Sequence, residues 1–252
     1  MPSFAWGKYT ADSRPVGQGK QGFVYKGFDP EKNKKVAIKV TQNIEGARHE
    51  AAVMRSYGVH RHLVRYCDLF ARDQDAYLVI EWVKGDSLKN SKRAYDEKTA
   101  VRITLNLLDA AARLHGSGYL HCDILPNNVM MVPGRPDTLK LIDFGIAVAK
   151  GPDGLYKGKH YRKKDTILCP PEQRLDDRWV LDDSSDLYRI AGICVFLMTK
   201  KKPALDRKTR AHRCKLKNKK LERVLNRAMH PDRGMRYRSA EDFIRALRPF
   251  AS

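Results

Sequence analysis

Two carboxylates and one amide in the middle of the chain are spaced so that they could do chemistry together. Asp123 and Asn128 lie five residues apart in the segment LHCDILPNNV, and Asp143 follows fifteen residues later, after the apolar run LKLI. Oxygen donors such as Asn128 and Asp143 suit Mg²⁺, which takes few ligands from a protein and the rest from phosphates and water. Asp123 would then be available to orient a hydroxyl group and to accept its proton.

A glycine-rich segment near the front of the chain could hold phosphate groups. Gly17, Gly19 and Gly22 form a GxGxxG pattern directly before the β-forming residues Phe23 and Val24. A dinucleotide-binding fingerprint must open a helix after a strand, so the strand context excludes that interpretation. Glycines at the tip of a hairpin let backbone N–H groups approach phosphates, because no Cβ atom stands in the way. The pattern alone is equally compatible with a flexible turn.

A lysine ends the otherwise apolar strand VAIK, at Lys39. Removing its charge from water is costly unless an anion meets it. Nucleotide phosphates and an internal carboxylate are both candidates for that anion. Residues 44–57 have helical spacing and carry two carboxylates. We expect Glu50 to be the partner of Lys39 and rank Glu45 second.

The surrounding sequence predicts the elements that must position these side chains. Strand signals on both sides of a turn at residues 29–33 predict a hairpin over residues 23–40. An apolar strand over residues 77–83 precedes Lys84 and Gly85, where we place a hinge between two lobes. Helical spacing over residues 98–117 leads into the Asp123 loop, and a short strand is expected at residues 128–132. The apolar run Ile190–Met198 predicts a buried helix.

The composition favours a folded protein of one large domain or two small lobes. The 252 residues are 42% hydrophobic and 31% charged, which argues against disorder. The five cysteines are odd in number and form no CxxC pair. We therefore expect a reducing, cytoplasmic location, and neither a disulfide framework nor a cysteine-rich zinc module. An apolar signal peptide and a run long enough to cross a bilayer are both lacking, so no transmembrane segment is expected.

The charge balance points to an anionic partner. Lys and Arg number 49 against 29 Asp and Glu, and the formal net charge is +20. The basic residues are dense in two stretches, residues 158–164 and 200–220. We expect these stretches to favour acidic or already phosphorylated protein substrates. Nucleic acid or an anionic surface stays open as a partner, although few aromatic residues interleave with the charges to stack on bases. A merely solvated surface is the third interpretation.

Taken in order, these motifs resemble the eukaryotic-type (Hanks-type) protein kinase family over about residues 13–248. The segments that carry the resemblance are GQGKQGFV, VAIK, the loop HCDILPNN, DFG from Asp143, CPPEQ, SSDLYRIAG and RYRSAEDF. The resemblance implies that Asp186 steadies the catalytic loop and that Glu172 of CPPEQ pairs with Arg236. The last phrase and the compact length are most similar to bacterial, phage or viral members. The cytoplasm of a host cell therefore also stays open as a location.

The resemblance implies an α+β, two-lobed protein-kinase-like fold with a small β-rich N-lobe and a larger helical C-lobe. We place an N-terminal extension at residues 1–12, the N-lobe at residues 13–83 and the C-lobe at residues 84–252. The implied reaction is transfer of the γ-phosphoryl group of ATP, with Mg²⁺, to protein hydroxyl groups of Ser or Thr.

The resemblance also assigns the residues of the site. The catalytic residues would be Lys39, Asp123 and Asn128, and the metal ligands would be Asn128 and Asp143. Adenine would lie among Val24, Ala37 and Met130, beside the hinge backbone, with Ile80 controlling the rear pocket. The complete nucleotide-binding set is Val16, Gly17, Gln18, Gly19, Lys20, Gln21, Gly22, Val24, Ala37, Lys39, Glu50, Ile80, Glu81, Val83 and Met130.

The loop HCDILPNN departs from the family pattern HRDxKxxN at two residues. Cys122 replaces an arginine that binds a phosphorylated activation segment in many relatives, so activity is expected to need little phosphorylation of that segment. Leu125 replaces the lysine typical of Ser/Thr-directed members, and Asn127 stands where Tyr-directed members commonly have arginine.

These departures leave two other functions open. One is a small-molecule phosphotransferase of the same fold, such as the aminoglycoside or choline kinases, whose HxDxxxxN pattern the loop also satisfies. The other is a non-catalytic scaffold that binds nucleotide.

Overall fold

Antiparallel strands at the front of the chain and helices further along form two lobes. The structure, a computed structural model, describes residues 3–19, 22–91, 94–134, 138–159, 168–175, 178–206, 208–209 and 211–252. The elements of the N-lobe are β1 (Ser3–Trp6), β2 (Tyr9–Asp12), β3 (Gly17–Gly19), β4 (Gly22–Asp29), β5 (Lys34–Thr41), α1 (Ile44–Tyr57), β6 (Tyr66–Arg72) and β7 (Asp75–Glu81).

The N-lobe is built on an antiparallel sheet with the strand order β1-β2-β4-β5-β7-β6, and β3 lies beside β4. The predicted hairpin is the pair β4 and β5, which sets Val24 opposite Lys39. β5 and β7 set Ala37 opposite Ile80. Helix α1 packs against β6 and β7. The strand register therefore brings Lys39 and the hinge strand to neighbouring positions of one sheet.

Residues 3–12, which we placed in an N-terminal extension, form the strands β1 and β2 of this sheet. β2 pairs with β4 and sets Ala11 opposite Gly27. Tyr9 and Ala11 are buried, and the ring of Trp6 meets that of Tyr25 edge to face, with centroids 4.7 Å apart. Strands of four residues are too short for their alternation to stand out in the sequence.

The C-lobe is mainly helical and holds most of the buried core. Its strands are β8 (Asp86–Ser87), β9 (Tyr119–Leu120), β10 (Val129–Met131), β11 (Leu139–Leu141), β12 (Val148–Ala149), β13 (Tyr156–Lys159), β14 (Arg178–Leu181), β15 (Ala204–Leu205) and β16 (His212–Arg213). Its α-helices are α2 (Glu97–Gly116), α3 (Glu172–Leu175), α4 (Asp183–Thr199), α5 (Lys219–Ala228) and α6 (Ala240–Leu247). Single 3₁₀ turns cover Pro126–Asn128, Arg233–Met235 and Arg248–Phe250.

The predicted helices are present at the centre of this lobe. α2 begins where the side chain of Asp96 accepts a hydrogen bond from the backbone of Thr99, and its apolar positions are buried against α4 and α6. The predicted helix Ile190–Met198 lies within α4, which is buried around nearly its whole circumference. None of the helices in the described ranges has the length and apolar character needed to cross a bilayer.

A buried ion pair ties the segment CPPEQ to the helices of the C-lobe. Arg236 donates to both carboxylate oxygens of Glu172, at 2.7 and 2.8 Å, and the hydroxyl of Ser185 donates at 2.9 Å. The side chain of Arg236 is fully buried and that of Glu172 is 16% exposed. Burial would raise the pKa of Glu172, but the donors of Arg236 outweigh it and hold the pKa below its ordinary value. The pairing that the resemblance implies is therefore formed.

We expect Glu172→Gln to lower the free energy of unfolding at pH 7 by about 3 kcal/mol, because Arg236 would stay buried without its carboxylate. The depressed pKa means that the ion pair stabilises the fold fully above the unfolded-state pKa, near 4.5. This stabilisation is lost as the pH falls through the folded-state pKa. Urea unfolding from pH 7 to pH 3 should therefore show the two proteins converging in stability.

The control is Glu241→Gln, at an exposed carboxylate in the first turn of α6. It should change stability by less than about 1 kcal/mol at either pH. A stability difference for Glu172→Gln that stayed constant from pH 7 to pH 3 would contradict the assigned role of the pair.

Candidate active site

Lys39 is the central cation of the site. Its Nζ lies 2.6 Å from Oε2 of Glu50 and 3.8 Å from Oδ1 of Asp143. The competing carboxylate, Glu45, is exposed and pairs with Arg48 on the same helix. Burial would lower the pKa of Lys39, but the two carboxylates beside it outweigh burial and raise the pKa above its ordinary value. The amine therefore stays charged and is held in place.

Helix α1 brings Glu50 to Lys39. The helix begins at Asn43, whose side chain accepts a hydrogen bond from the backbone N–H of Gly46 at 2.9 Å. Glu50 lies on the helix face that is buried against the lobe. The neighbouring ring of His49 donates from Nε2 to the carbonyl oxygen of Ala147 at 2.8 Å. This contact fixes α1 relative to the segment that follows Asp143.

The DFG segment turns Phe144 inward and Asp143 outward. Phe144 is fully buried, with its ring centroid 5.2 Å from that of Tyr57 and 5.0 Å from that of His121. Its backbone N–H donates to Glu50 at 3.4 Å. Asp143 has a positive φ of 67° and a side chain that is 47% exposed. The carboxylate of Asp143 is therefore open to a ligand while it lies beside Lys39.

Asp186 holds the backbone of the catalytic loop, residues 121–128, through hydrogen bonds. This fully buried carboxylate accepts hydrogen bonds from the N–H groups of His121, at 2.8 Å, and Cys122, at 3.0 Å, and from the ring of His115, at 3.0 Å. Burial would raise the pKa of Asp186, but the His115 ring and the other donors outweigh it and lower the pKa. Cys122 has a positive φ of 65°, which costs about 1 kcal/mol for a residue with a Cβ atom. Asp186 therefore stabilises a strained backbone directly before Asp123.

Asp123 and Asn128 are both buried and are joined to each other. The side-chain nitrogen of Asn128 donates to the backbone oxygen of Asp123 at 2.9 Å and to its Oδ2 at 3.2 Å. This orientation leaves the amide oxygen of Asn128 as the atom that a cation can use. The backbone oxygen of Asn128 accepts a hydrogen bond from Ile142 at 2.9 Å, so Asn128 lies alongside the residue before Asp143. An amide oxygen and an open carboxylate at neighbouring positions fit Mg²⁺, which prefers such ligands.

The glycine-rich residues line one hairpin of the N-lobe. β3 and β4 set Gly17 opposite Val24 and Gly19 opposite Gly22. The four predicted residues on the first side of the hairpin are exposed, and they are Val16, Gly17, Gln18 and Gly19. The predicted residues Lys20 and Gln21 lie outside the described residues. The described part of the hairpin therefore presents its backbone where phosphates could approach.

The backbone hydrogen bonds of the hinge show which of its N–H groups are available to a nucleotide, a detail that the sequence did not predict. Strand β7 ends at Glu81, whose N–H already donates to the carbonyl oxygen of Arg65 at 3.0 Å. Glu81 can therefore offer no N–H to a nucleotide. The N–H of Val83 has no hydrogen-bond partner in the described part of the chain. Ile80 and the C-lobe residue Met130 are half-buried.

Lys140 is a residue that the sequence reasoning did not single out. Its Nζ lies 2.6 Å from Oε1 of Glu81 and donates to the carbonyl oxygen of Leu63 at 3.0 Å. It thereby joins β11 of the C-lobe to the hinge. The available signal was a lysine inside the apolar run LKLI, the same kind of signal that identified Lys39.

Comparison with known proteins identifies the family. Residues 10–248 match the protein kinase domain family, which is nearly the whole chain, so the chain belongs to that family. Over 247 residues it is 28% identical to the probable serine/threonine-protein kinase zyg-1 of Caenorhabditis briggsae, covering 92% of this chain and 33% of that protein.

Two further relatives show the same pattern of partial coverage. The serine/threonine-protein kinase pkn3 of Myxococcus xanthus is 29% identical over 208 residues, which is 76% of this chain and 38% of that protein. The CDPK-related kinase 4 of Arabidopsis thaliana is 32% identical over 129 residues, which is 46% of this chain and 22% of that protein. The chain thus spans 22% to 38% of the length of these three relatives.

Two glycines of the hairpin should respond differently to a methyl group. Gly22 has a φ of +134°, and a Cβ atom there would lie 1.9 Å from the carbonyl oxygen of Val40. We expect Gly22→Ala to destabilise the fold by at least about 1 kcal/mol, seen as a lower Tm. At Gly19 a Cβ atom would have nothing within 4 Å. Gly19→Ala should therefore keep the wild-type Tm and raise the KM for ATP, because its methyl group would separate the backbone from the phosphates.

Each glycine variant serves as the control for the other. The assignment of the hairpin would be contradicted by an unchanged KM for ATP in Gly19→Ala. An unchanged Tm in Gly22→Ala would contradict the conclusion that the positive φ and the nearby carbonyl oxygen of Val40 require glycine at this position.

Proposed function

We propose that this chain transfers the γ-phosphoryl group of ATP, with Mg²⁺, to Ser or Thr hydroxyl groups of protein substrates. The observation that supports this most directly is the contact of Lys39 with both Glu50 and Asp143 across the two lobes. A lysine whose side chain is only 17% exposed, held by one carboxylate and beside a second, half-exposed one, is suited to a polyphosphate with a divalent cation.

Each side chain of the site has a separate part in the proposed reaction. Lys39, held by Glu50, orients the phosphates of the nucleotide. Asn128 and Asp143 would hold Mg²⁺, which when bound offsets negative charge on the transferring group. Asp123 orients the acceptor hydroxyl and accepts its proton, a step that typically contributes about 10²- to 10⁴-fold. Alignment and fixed charge supply the rest of the acceleration.

Protein substrates are favoured over small molecules by the CPPEQ segment. The ion pair between Glu172 and Arg236 anchors this segment to the C-lobe, where it can support an extended substrate chain. Two similar proteins, zyg-1 and pkn3, are named as serine/threonine-protein kinases, which supports Ser or Thr as the acceptor. The formed contact between Lys39 and Glu50 favours a catalyst over a scaffold.

A reducing location is supported by the cysteines. All five are free thiols, and four of them are buried. We propose a cytoplasmic location, in the cell that makes the protein or in a host cell.

Labelled ATP and Mg²⁺ should be incubated with the protein and, separately, an acidic protein, a neutral protein and an aminoglycoside. We expect label on protein hydroxyl groups and a loss of at least about 10²-fold in Lys39→Met and Asp143→Ala. Lys35→Met, at an exposed lysine on the same strand, is the matched control and should keep wild-type turnover. Label on the aminoglycoside alone would favour the small-molecule phosphotransferase. Nucleotide binding without transfer would favour the scaffold.

The second basic stretch forms an exposed charged surface, and we propose that it attracts acidic protein substrates. Seven of its lysines are exposed: Lys201, Lys202, Lys208, Lys215, Lys217, Lys219 and Lys220. Lys200 is not part of this surface, because its Nζ lies 4.9 Å from the ring centroid of Phe196 and 5.7 Å from that of Tyr95. Of the first basic stretch, residues 160–164 lie outside the described residues.

We expect the triple substitution of Lys215, Lys217 and Lys220 by Gln to raise the KM for an acidic protein about three- to tenfold at low salt, with little change in kcat. Lys219 is kept because it pairs with Glu222 at 2.9 Å. The matched control replaces Lys32, Lys34 and Lys35, three exposed lysines of the N-lobe. KM should be measured from low to high salt, where the wild type and the variant converge. If the two triple variants raised KM equally, the effect would come from the overall positive charge of the protein, and the proposed substrate-attracting surface would be wrong.

A further inference from the structure

Arg189 is a charged side chain in the interior of the C-lobe. It lies on the buried helix α4 and is 2% exposed, and its Nη2 donates to Oε1 of Gln173 at 2.6 Å. Within the described residues its Nε and Nη1 have no hydrogen-bond partner. A well-packed apolar side chain at such a position is often at least as stabilising as a buried charge. Packing alone therefore does not account for an arginine here.

Gln173 connects Arg189 to the catalytic loop. While its Oε1 accepts from Arg189, its Nε2 donates to the carbonyl oxygen of Cys122 at 3.3 Å. A guanidinium group can only donate hydrogen bonds. Arg189 therefore determines which end of the Gln173 amide faces Cys122. In the opposite orientation, Oε1 of Gln173 would face the carbonyl oxygen of Cys122 and its NH₂ group would face the guanidinium group of Arg189.

The carbonyl of Cys122 belongs to the peptide group that leads into Asp123. The N–H of Cys122 is held by Asp186 at 3.0 Å, so the hydrogen bond from Gln173 holds the other end of the same residue. Because Cys122 has a positive φ, its backbone needs support on both sides to keep one conformation. Asp186 and Arg189 are three residues apart on α4 and thus lie on neighbouring positions of one helix face.

We propose that Arg189 is a positioning residue, which acts through Gln173 to fix the peptide group between Cys122 and Asp123. The catalytic loop has Cys122 where the family pattern has an arginine, and Arg189 supplies a cation near this position from α4. This inference rests on the proposed phosphoryl transfer, because its consequence is the orientation of Asp123. An arginine is always charged, so the link needs no phosphate group to form. This gives a physical reason for the expectation that activity needs little phosphorylation of the activation segment.

Gln173→Glu separates this role from a merely structural one. A carboxylate at this position would pair with Arg189 and relieve the incompletely paired charge, but it has no N–H for the carbonyl of Cys122. We expect a Tm at or above that of the wild type together with a kcat about tenfold lower. The KM for ATP should change less than twofold, because Lys39, Glu50 and Asp143 are untouched. A purely structural role would lower kcat only together with stability.

Arg189→Met removes the cation and leaves the side-chain amide of Gln173 free to rotate and exchange the positions of its oxygen and nitrogen. Its kcat should fall by a similar factor, and the double variant Gln173→Glu/Arg189→Met should show no further loss, since both changes break one link. Hydrogen exchange should become faster in the loop at residues 121–125 in both variants and stay unchanged in β4 and β5. Gln42→Glu and Arg223→Met, at exposed positions, are the matched controls and should match the wild type in all readouts.

Two results would overturn the inference: a kcat for folded Gln173→Glu within twofold of the wild type, or independent, multiplying losses in the double variant. Failure of the proposed function is a different result, in which the wild type transfers no phosphoryl group to any substrate. In that case hydrogen exchange decides the inference alone. Faster exchange in the loop supports it, and unchanged exchange overturns it.

Discussion

The buried carboxylate of Asp186 is the contact on which the geometry of the site depends. A carboxylate away from water must find hydrogen-bond donors, and here they come from the catalytic loop and from His115 at the end of α2. The strained backbone at Cys122 is kept because this interaction stabilises it. If α4 moved, Asp123 and Asn128 would lose the support that directs them toward the site. The buried apolar surface of α4 keeps it in place.

A second anchor holds the N-lobe against this framework. The pair of Lys39 and Glu50 joins β5 to α1, and the contact of Lys39 with Asp143 carries the connection to the C-lobe. Phe144, buried between Tyr57 and His121, adds an apolar contact at the same junction. Phosphoryl transfer depends on alignment more than on any single group, so a site divided between two lobes requires such contacts across them.

Buried charges in the C-lobe orient the segments that they contact, in addition to the stability that the pair of Glu172 and Arg236 supplies. Glu172 and Arg236 form a bidentate pair, while Arg189 contacts one amide oxygen and is otherwise incompletely paired. Both lead to the same segment, CPPEQ, and through Gln173 to the catalytic loop. Directional hydrogen bonds specify one arrangement, which a purely apolar contact does not, and this is a reason for a protein to retain them in its interior.

The sequence by itself determined the helix over residues 44–57, the buried helix within α4, the two-lobed fold and the family. Periodic apolar spacing and the order of motifs can be read directly from the linear sequence. It also singled out Lys39 and Glu50, because an isolated charge in an apolar strand requires a partner. Only the tertiary structure decided that residues 3–12 join the sheet, that Lys140 reaches Glu81 and that hydrogen bonds of Gln173 link Arg189 to Cys122. These contacts join residues far apart in the chain and depend on the direction of each donor and acceptor, which no local pattern of residue types records.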